Sequence, residues 1–453
     1  MLTPPYSDLT TRPTGSLHVA IVGGGITGVT LALGLEARGV SYTLYERAPE
    51  LKEIGAGVGF SPNAEAALKA LDPKIHAAYK RVAMPNGEDY FQWVDGFESD
   101  KVLYKLFLGE QGFQGCRRSD FIDELSSMIP REKVKFGKAA KTIEELRDGR
   151  VRLGFRDGTD GVADVVIGCD GIHSRIRQIL LGEDNPASYP AYSNQFCFRG
   201  LIPMDEARKT LSEHRASTRF MYNGPNAHSI TYPVSKDLLN VLLVISDPKP
   251  WNGPDGKHTS RGRKQEALDA FKDWHPSVKN IVDLLPEEME KWAIFDMIEN
   301  PAPFYSKGSV CIAGDAAHAA GPHLGAGAGF GMEDALIICA LLEAADNTPA
   351  SKDDRSKVEM CHDLLQVYND ARYERTQWLV KRTREAVDLF QWKDSSVGNN
   401  VGKFSEEITW RFHKIWDFAV EAMAEKAVWD FHVGARQARR SASLGSIKSN
   451  DKI

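Results

Sequence analysis

Residues 18–28 read His18-Val19-Ala20-Ile21-Val22-Gly23-Gly24-Gly25-Ile26-Thr27-Gly28, and the change of pattern inside this stretch decides the fold. The first five, largely apolar, suit a buried parallel strand, and the three glycines demand a turn. From Ile26 to Arg38 the apolar residues fall at helical spacing, with Gly39 placed to close the helix in a left-handed cap. Tyr42 to Tyr45 is a second strand, ending at Glu46, so the segment is a βαβ unit. Gly23-x-Gly25-x-x-Gly28 between strand and helix lets the backbone turn tightly and approach a pyrophosphate at a helix N-terminus. Glu46 stands 18 residues beyond Gly28, where a carboxylate accepts hydrogen bonds from a ribose diol and repels a 2′-phosphate. The fingerprint therefore favours FAD or NAD over NADP.

The whole chain sets the frame around this unit. Its 453 residues allow about two or three domains at roughly 150 residues each, and 42% hydrophobic with 26% charged residues argues for a globular chain. Lys plus Arg number 56 against 62 Asp plus Glu, a net charge of −6, which offers no field for nucleic acid or an anionic membrane. The cysteines, at 116, 169, 197, 311, 339 and 361, form no CxxC pair and have no histidines at metal-ligand spacing. They are expected to be reduced, buried thiols of a cytoplasmic protein without a metal. Residues 1–16 lack the apolar core of a secretory signal and read as a flexible leader. The longest apolar run, Ala335 to Leu342, stops at Glu343, short of the ~20 residues that span a bilayer.

Strand alternation at 85–110 and 186–300 predicts an antiparallel sheet domain. It interrupts an α/β domain expected at 17–84, 111–185 and 301–345, so the chain weaves between the two. Residues 346–435 read as helices anchored by Trp378, Trp392, Trp410, Trp416 and Trp429, which are expected to pack as core, and 436–453 as a flexible tail.

Two more motifs follow the fingerprint. Asp164-Val165-Val166-Ile167-Gly168-Cys169-Asp170-Gly171 and Ser309-Val310-Cys311-Ile312-Ala313-Gly314-Asp315 each read as a strand delivering an acid to a turn. In this order the three motifs resemble those of the group A FAD-dependent aromatic monooxygenases, the family of para-hydroxybenzoate and salicylate hydroxylases, over nearly the whole chain. The resemblance implies an α/β fold, with a Rossmann-like FAD-binding domain interwoven with an antiparallel-sheet substrate domain and a helical C-terminal region. It implies that Asp170 serves FAD and the nicotinamide donor, and that Asp315 meets flavin ribityl or ribose hydroxyls. Cys116-Arg117-Arg118-Ser119-Asp120-Phe121 matches the family's H-R-x-D element, making Arg118 an FAD contact, while Arg117 departs from the usual histidine. The small-residue runs Ile54 to Phe60, with Gly59, and Pro322 to Gly329, with Gly325, Gly327 and Ala328, match the loops on either side of the isoalloxazine.

The match is closer still to the fungal members that dearomatise polyketide phenols on azaphilone, tropolone and sorbicillinoid routes. In them an arginine and a tyrosine at the positions of Arg199 and Tyr232 hold the substrate as a phenolate. The chemistry is sound: a phenol is mostly protonated at pH 7, and a buried cation with a hydroxyl donor favours the reactive anion. A structural ion pair for Arg199 and a solvated hydroxyl for Tyr232 are the competing readings. The resemblance implies tightly bound, non-covalent FAD, NADPH or NADH as transient reductant, and O2 as co-substrate reacting through a flavin C4a-hydroperoxide. A hydroxy-dienone results when the attacked carbon carries a methyl group. Salicylate-type hydroxylation is the alternative reaction, and a non-catalytic flavin-binding protein the remote one. His228, His318 and His323 are expected to be hydrogen-bonded structural residues more often than proton relays or a substrate anchor. The partner is a small phenol, and the chain a monomer or homodimer.

Overall fold

The computed structural model describes residues 16–51, 57–109, 112–253, 258–348, 355–398 and 400–434. The leader up to residue 15, positions 54–56 of the first small-residue loop and the tail from 435 lie outside the described residues.

The opening strand His18–Val22 is entirely buried and pairs in parallel with Ser41–Tyr45 on one side and Val165–Gly168 on the other. Val134–Lys135 and Val310–Ile312 extend the parallel sheet, and Ser306–Lys307 closes one edge antiparallel, six strands in all. The helix Ile26–Ala37 crosses between the first two strands; Gly39 follows its end at φ +69°, the left-handed position that glycine enters without strain. The 111–185 stretch supplies the helices Arg118–Ser126 and Arg175–Leu181 and two strands of the parallel sheet, and between those strands it adds a separate antiparallel sheet, Ala140–Glu145, Val151–Phe155 and Asp160–Ala163.

Eight strands form the second sheet, in the order Thr259–Arg263, Glu288–Asp296, Ala191–Pro203, Leu238–Ser246, Ala227–Pro233, Phe220–Gly224, Tyr90–Asp95 and Val102–Phe107. All neighbours are antiparallel except Phe220–Gly224 with Tyr90–Asp95. Successive side chains on a strand leave opposite faces, so the sheet sorts its residues by parity. Phe196, Phe198, Tyr222, Val241 and Leu243 pack one face against the helices Met204–Leu211, Lys264–Ala270 and Pro276–Asp283. The opposite face, with Phe91, Trp93, Met221, Ile230 and Tyr232, meets Leu324, Ala326 and the C-terminal helices.

The 34-residue helix Lys357–Phe390, about 50 Å long at 1.5 Å per residue, ties the parts together. Its Arg372, fully buried, donates to Asp334 Oδ1 and to Glu333 Oε2, both at 2.6 Å, on the helix Gly327–Asp346. Val401–Trp416 adds Phe404, Phe412 and Trp416 to the core around Trp93. The expected packing of the tryptophans is only partly met: Trp416 is buried, whereas Trp392 and Trp429 are 38% and 64% exposed. Among the described residues no helix is long and apolar enough to cross a membrane.

Candidate active site

The fingerprint turn works by close approach. Gly23 adopts φ +104°, and a Cβ there would stand 2.4 Å from the Cys169 carbonyl oxygen; one on Gly28 would stand 1.9 Å from the Gly23 oxygen. Gly25 caps the helix with no side-chain bond, leaving first-turn N–H groups for a ligand. Glu46 lies at this turn, accepting from Gly24 N–H at 2.6 Å and Ala48 N–H at 2.7 Å. Asp170 arrives beside Gly23 at the end of the neighbouring strand. Its carboxylate turns back on its own loop, accepting from the Ser174 hydroxyl and the Arg175 and Ile176 N–H groups, so it caps the helix Arg175–Leu181. Burial raises its pKa against those bonds.

Gly314, at φ +59°, precedes Asp315, and its N–H is held at 2.8 Å by the buried Asp334 carboxylate. His318 bonds the same carboxylate at 2.7 Å, which accounts for that histidine as structural. The Asp315 carboxylate lies 3.9 Å from where a Gly327 Cβ would stand, at the N-terminus of the Gly327–Asp346 helix, which has no side-chain cap. Ala328 sits in that first turn. Burial lowers the Arg118 pKa, opposed by the nearby Asp315 charge and reinforced by Arg199. Arg118, Asp315, Gly327 and Arg199 therefore converge.

Tyr232 and Arg199 leave the same sheet face, since Arg199 pairs across Leu242 with Ile230. Tyr232 is buried, its ring edge-on to Phe113 at 5.3 Å, and its hydroxyl forms no hydrogen bond among the described residues. Burial pushes its pKa up to about 12, against the pull of Arg219 first and Arg199 second. Arg199 lies 5.1 Å over the Trp292 ring and beside the Cys197 thiol, with no ion pair among the described residues.

Arg219 went unnoticed in the sequence. Its guanidinium is sandwiched between Phe91 and Phe113, 3.9 and 3.8 Å from their ring centroids, and the residue is 2% exposed. The Nε is buried without a partner, and no carboxylate faces the group among the described residues. Burial pushes its pKa down to about 9. The sandwich reaches both loops: a Cβ on Gly59 would overlap the Phe113 ring, and one on Gly325 would touch an Arg219 terminal nitrogen at 3.4 Å. The signal in the sequence was a single charge in the apolar strand around Phe220-Met221-Tyr222, on the same side as Met221.

A dinucleotide fits this arrangement at three points: a backbone cradle that a Cβ would fill, an uncapped helix N-terminus beside Asp315, and a polar sheet face whose guanidiniums have no carboxylate partner among the described residues. The model of the FAD binding domain family matches residues 133–382. An FAD-dependent monooxygenase of Aspergillus niger is 49% identical over 424 residues, 90% of this chain and 96% of that one. A salicylate hydroxylase of Sarocladium schorii is 38% identical over 444 residues, 93% and 92% of the two chains. The chain belongs to the FAD-dependent monooxygenases.

Among solved structures, a salicylate hydroxylase in complex with its substrate superposes on the enzyme with a TM-score of 0.79 at 31% identity, covering 92% of this chain and 98% of that one. Klebsiella pneumoniae HpxO, solved with FAD and uric acid, shares the fold at 22% identity and a TM-score of 0.72, covering 91% and 97%. In the monooxygenase Arg199 and Arg219, which form no ion pair among the described residues, and the Tyr232 hydroxyl all lie on the sheet face that looks toward Leu324 and Ala326. Among the described residues no cluster of three His, Cys, Asp or Glu could hold a metal.

Proposed function

We propose that the enzyme hydroxylates a phenolic polyketide of the acyl-resorcinol aldehyde type and releases a hydroxy-dienone, using NADPH or NADH as transient reductant and dioxygen as co-substrate. One observation carries this reading: the Tyr232 hydroxyl is flanked by two guanidiniums, Arg219 and Arg199, that have no counter-ion among the described residues. A buried cation without an anion is costly, and a phenolate bound between the two offsets that cost. The guanidiniums lower the phenol's pKa from its usual value near 10, while Tyr232, held protonated, donates to the phenolate oxygen.

Gly23, Gly25, Gly28 and Glu46 would hold the adenosine and pyrophosphate end of FAD, Arg118 and Asp315 its middle, and Gly59, Gly325, Gly327 and Ala328 the ring. Asp170 would organise the turn beside them. When bound, FAD supplies the activated oxygen; the protein supplies position, charge and exclusion of water. Oxygen transfer to a ring carbon that already bears a methyl group cannot restore aromaticity, hence the dienone. Six free, buried thiols support a cytoplasmic location, and the enzyme would act as a monomer or homodimer.

Salicylate-type hydroxylation is the second reading, favoured by the 31% identical salicylate hydroxylase structure. Arg199 or Arg219 would then hold a carboxylate, and carbon dioxide would leave. Mass spectrometry of products from methylated resorcinol aldehydes and from salicylate, under labelled dioxygen, separates the two. One labelled atom added with every carbon retained supports dearomatisation. A catechol from salicylate, with the aldehydes untouched, overturns it.

A further inference from the structure

His228 and His323 face each other with ring centroids 5.4 Å apart, 1% and 5% exposed. The reading above uses neither. His228 alternates with Ile230 and Tyr232 on one strand, so its imidazole leaves the sheet on the side of the Tyr232 hydroxyl. A chain of hydrogen bonds reaching in from the surface fixes where its proton sits. The Lys393 ammonium donates to Ser246 Oγ and has no lone pair with which to accept. The Ser246 hydroxyl therefore sends its hydrogen to Gln391 Oε1, 2.6 Å away. With Oε1 so engaged, Gln391 presents Nε2 to His228 Nδ1 at 3.2 Å. An amide nitrogen only donates, so Nδ1 is the bare nitrogen and the hydrogen sits on Nε2.

Gln391 is itself 1% exposed, and its own N–H is bonded to the Val387 carbonyl at 2.8 Å at the end of the long helix. Burial, with Lys393 adding to it, pushes His228 down to about 3, so the ring is neutral. The His228 Nε2–H has no partner among the described residues, and the His323 Nδ1 is buried and unpartnered.

We propose that Gln391 is a positioning residue that locks His228 in the Nε2–H tautomer, making it the donor for a second substrate oxygen, a carbonyl conjugated with the ring. This rests on reading the face of Arg199, Arg219 and Tyr232 as a phenol site. A carbonyl accepts and cannot donate, so the fixed donor selects formyl and acyl phenols over phenols carrying an alkyl group at that position.

The test is Gln391→Glu in the FAD-loaded enzyme. A carboxylate cannot donate, so His228 Nδ1 must take up a hydrogen. Nε2 then becomes an acceptor wherever the ring is neutral. The other charged groups around the pair, Lys393, Asp388, and Arg384 with its partner Asp296, are the same in both proteins. Nitrogen NMR of histidine-labelled protein, with His228 assigned through His228→Phe, should show a bare Nδ1 in the parent and a protonated one in the variant. Dissociation constants for 2,4-dihydroxybenzaldehyde and the matched methylresorcinol, read from flavin fluorescence, give the selectivity. The parent should prefer the aldehyde about tenfold at every pH, the effect of one buried hydrogen bond. The variant should keep that preference only at low pH, where the ring is an imidazolium, and lose it as pH rises.

A parent with a hydrogen on Nδ1, or an unchanged preference in a variant whose proton has moved, overturns the proposal. Intact selectivity without hydroxylation of any phenol would sink the functional reading and leave the tautomer lock standing. Failure of every phenol to bind would sink both.

Discussion

Replacing Arg219 by methionine should separate stability from binding. The guanidinium has no carboxylate partner among the described residues, and burial takes its pKa from 12.5 to about 9. At 1.36 kcal/mol per pKa unit that gap corresponds to roughly 5 kcal/mol against the charged form. Stacking on Phe91 and Phe113 offsets part of this, about 0.5–2 kcal/mol per ring. A net gain of about 1–4 kcal/mol is expected for Arg219→Met in protein stripped of FAD and phenol, the range seen when buried ions give way to apolar groups. Thermal unfolding should register it as a rise of a few degrees. The sign with pH follows from proton binding. Below about pH 9 both states are protonated and the penalty is fully present; above it the folded state loses the proton that the unfolded chain keeps, so stability rises with pH. The parent should therefore gain on the variant as pH rises from about 9 to about 10.5, where the penalty begins to lift. Phenol binding should move the opposite way, weakening about 10- to 100-fold in the variant for a lost charge-assisted hydrogen bond. A variant that is less stable than the parent without ligands, with a parallel pH profile, would refute the reasoning.

Gly28→Ala would press a methyl group to 1.9 Å from the Gly23 oxygen, and the purified protein should lose its visible flavin absorbance. Asp334→Asn removes the charge that pairs His318 and Arg372 and should cost about 3–5 kcal/mol in chemical denaturation, with weaker FAD retention because the single amide oxygen cannot accept from both Gly314 and Arg372. His318 and Arg372 hold the Asp334 carboxyl well below the usual range despite burial. Its contribution is thus present above about pH 4 and should fade as acid titrates the folded state, a loss the variant should lack. Tyr232→Phe should lower turnover of an aldehyde phenol about tenfold, and Arg199→Ala by more, measured by labelled-oxygen incorporation; equal activity in both would remove them from the mechanism.

Local chemistry accounts for what could be read without coordinates. The Gly23-Gly25-Gly28 turn, Glu46 at the next strand end, and the Asp170 and Asp315 turns are each encoded within a few residues. Their spacing places them at neighbouring strand ends, because parallel strands in a βαβ fold deliver their C-terminal ends to one edge. Arg199 and Tyr232 were named through a family pattern, which carries residue types but says nothing of what surrounds them. Arg219 shows the limit. An arginine in a strand reads as an edge charge until pairing with Phe91 and Phe113, more than a hundred residues away, encloses it. Trp392 and Trp429 failed in the other direction, since a large apolar side chain records a preference for burial and the available neighbours decide whether it is met.

The amino-acid sequence by itself determined the dinucleotide cradle, the order of its three motifs and the alternation that makes a sheet wall. Tertiary structure alone decided which charges lack partners among the described residues, which way the Asp170 carboxylate turns, and which groups meet the His228 ring. The reason is physical. Backbone turns and strand phase depend on neighbours along the chain, whereas the energy of a buried charge and the direction of a hydrogen bond depend on groups that only folding brings within about 3–4 Å.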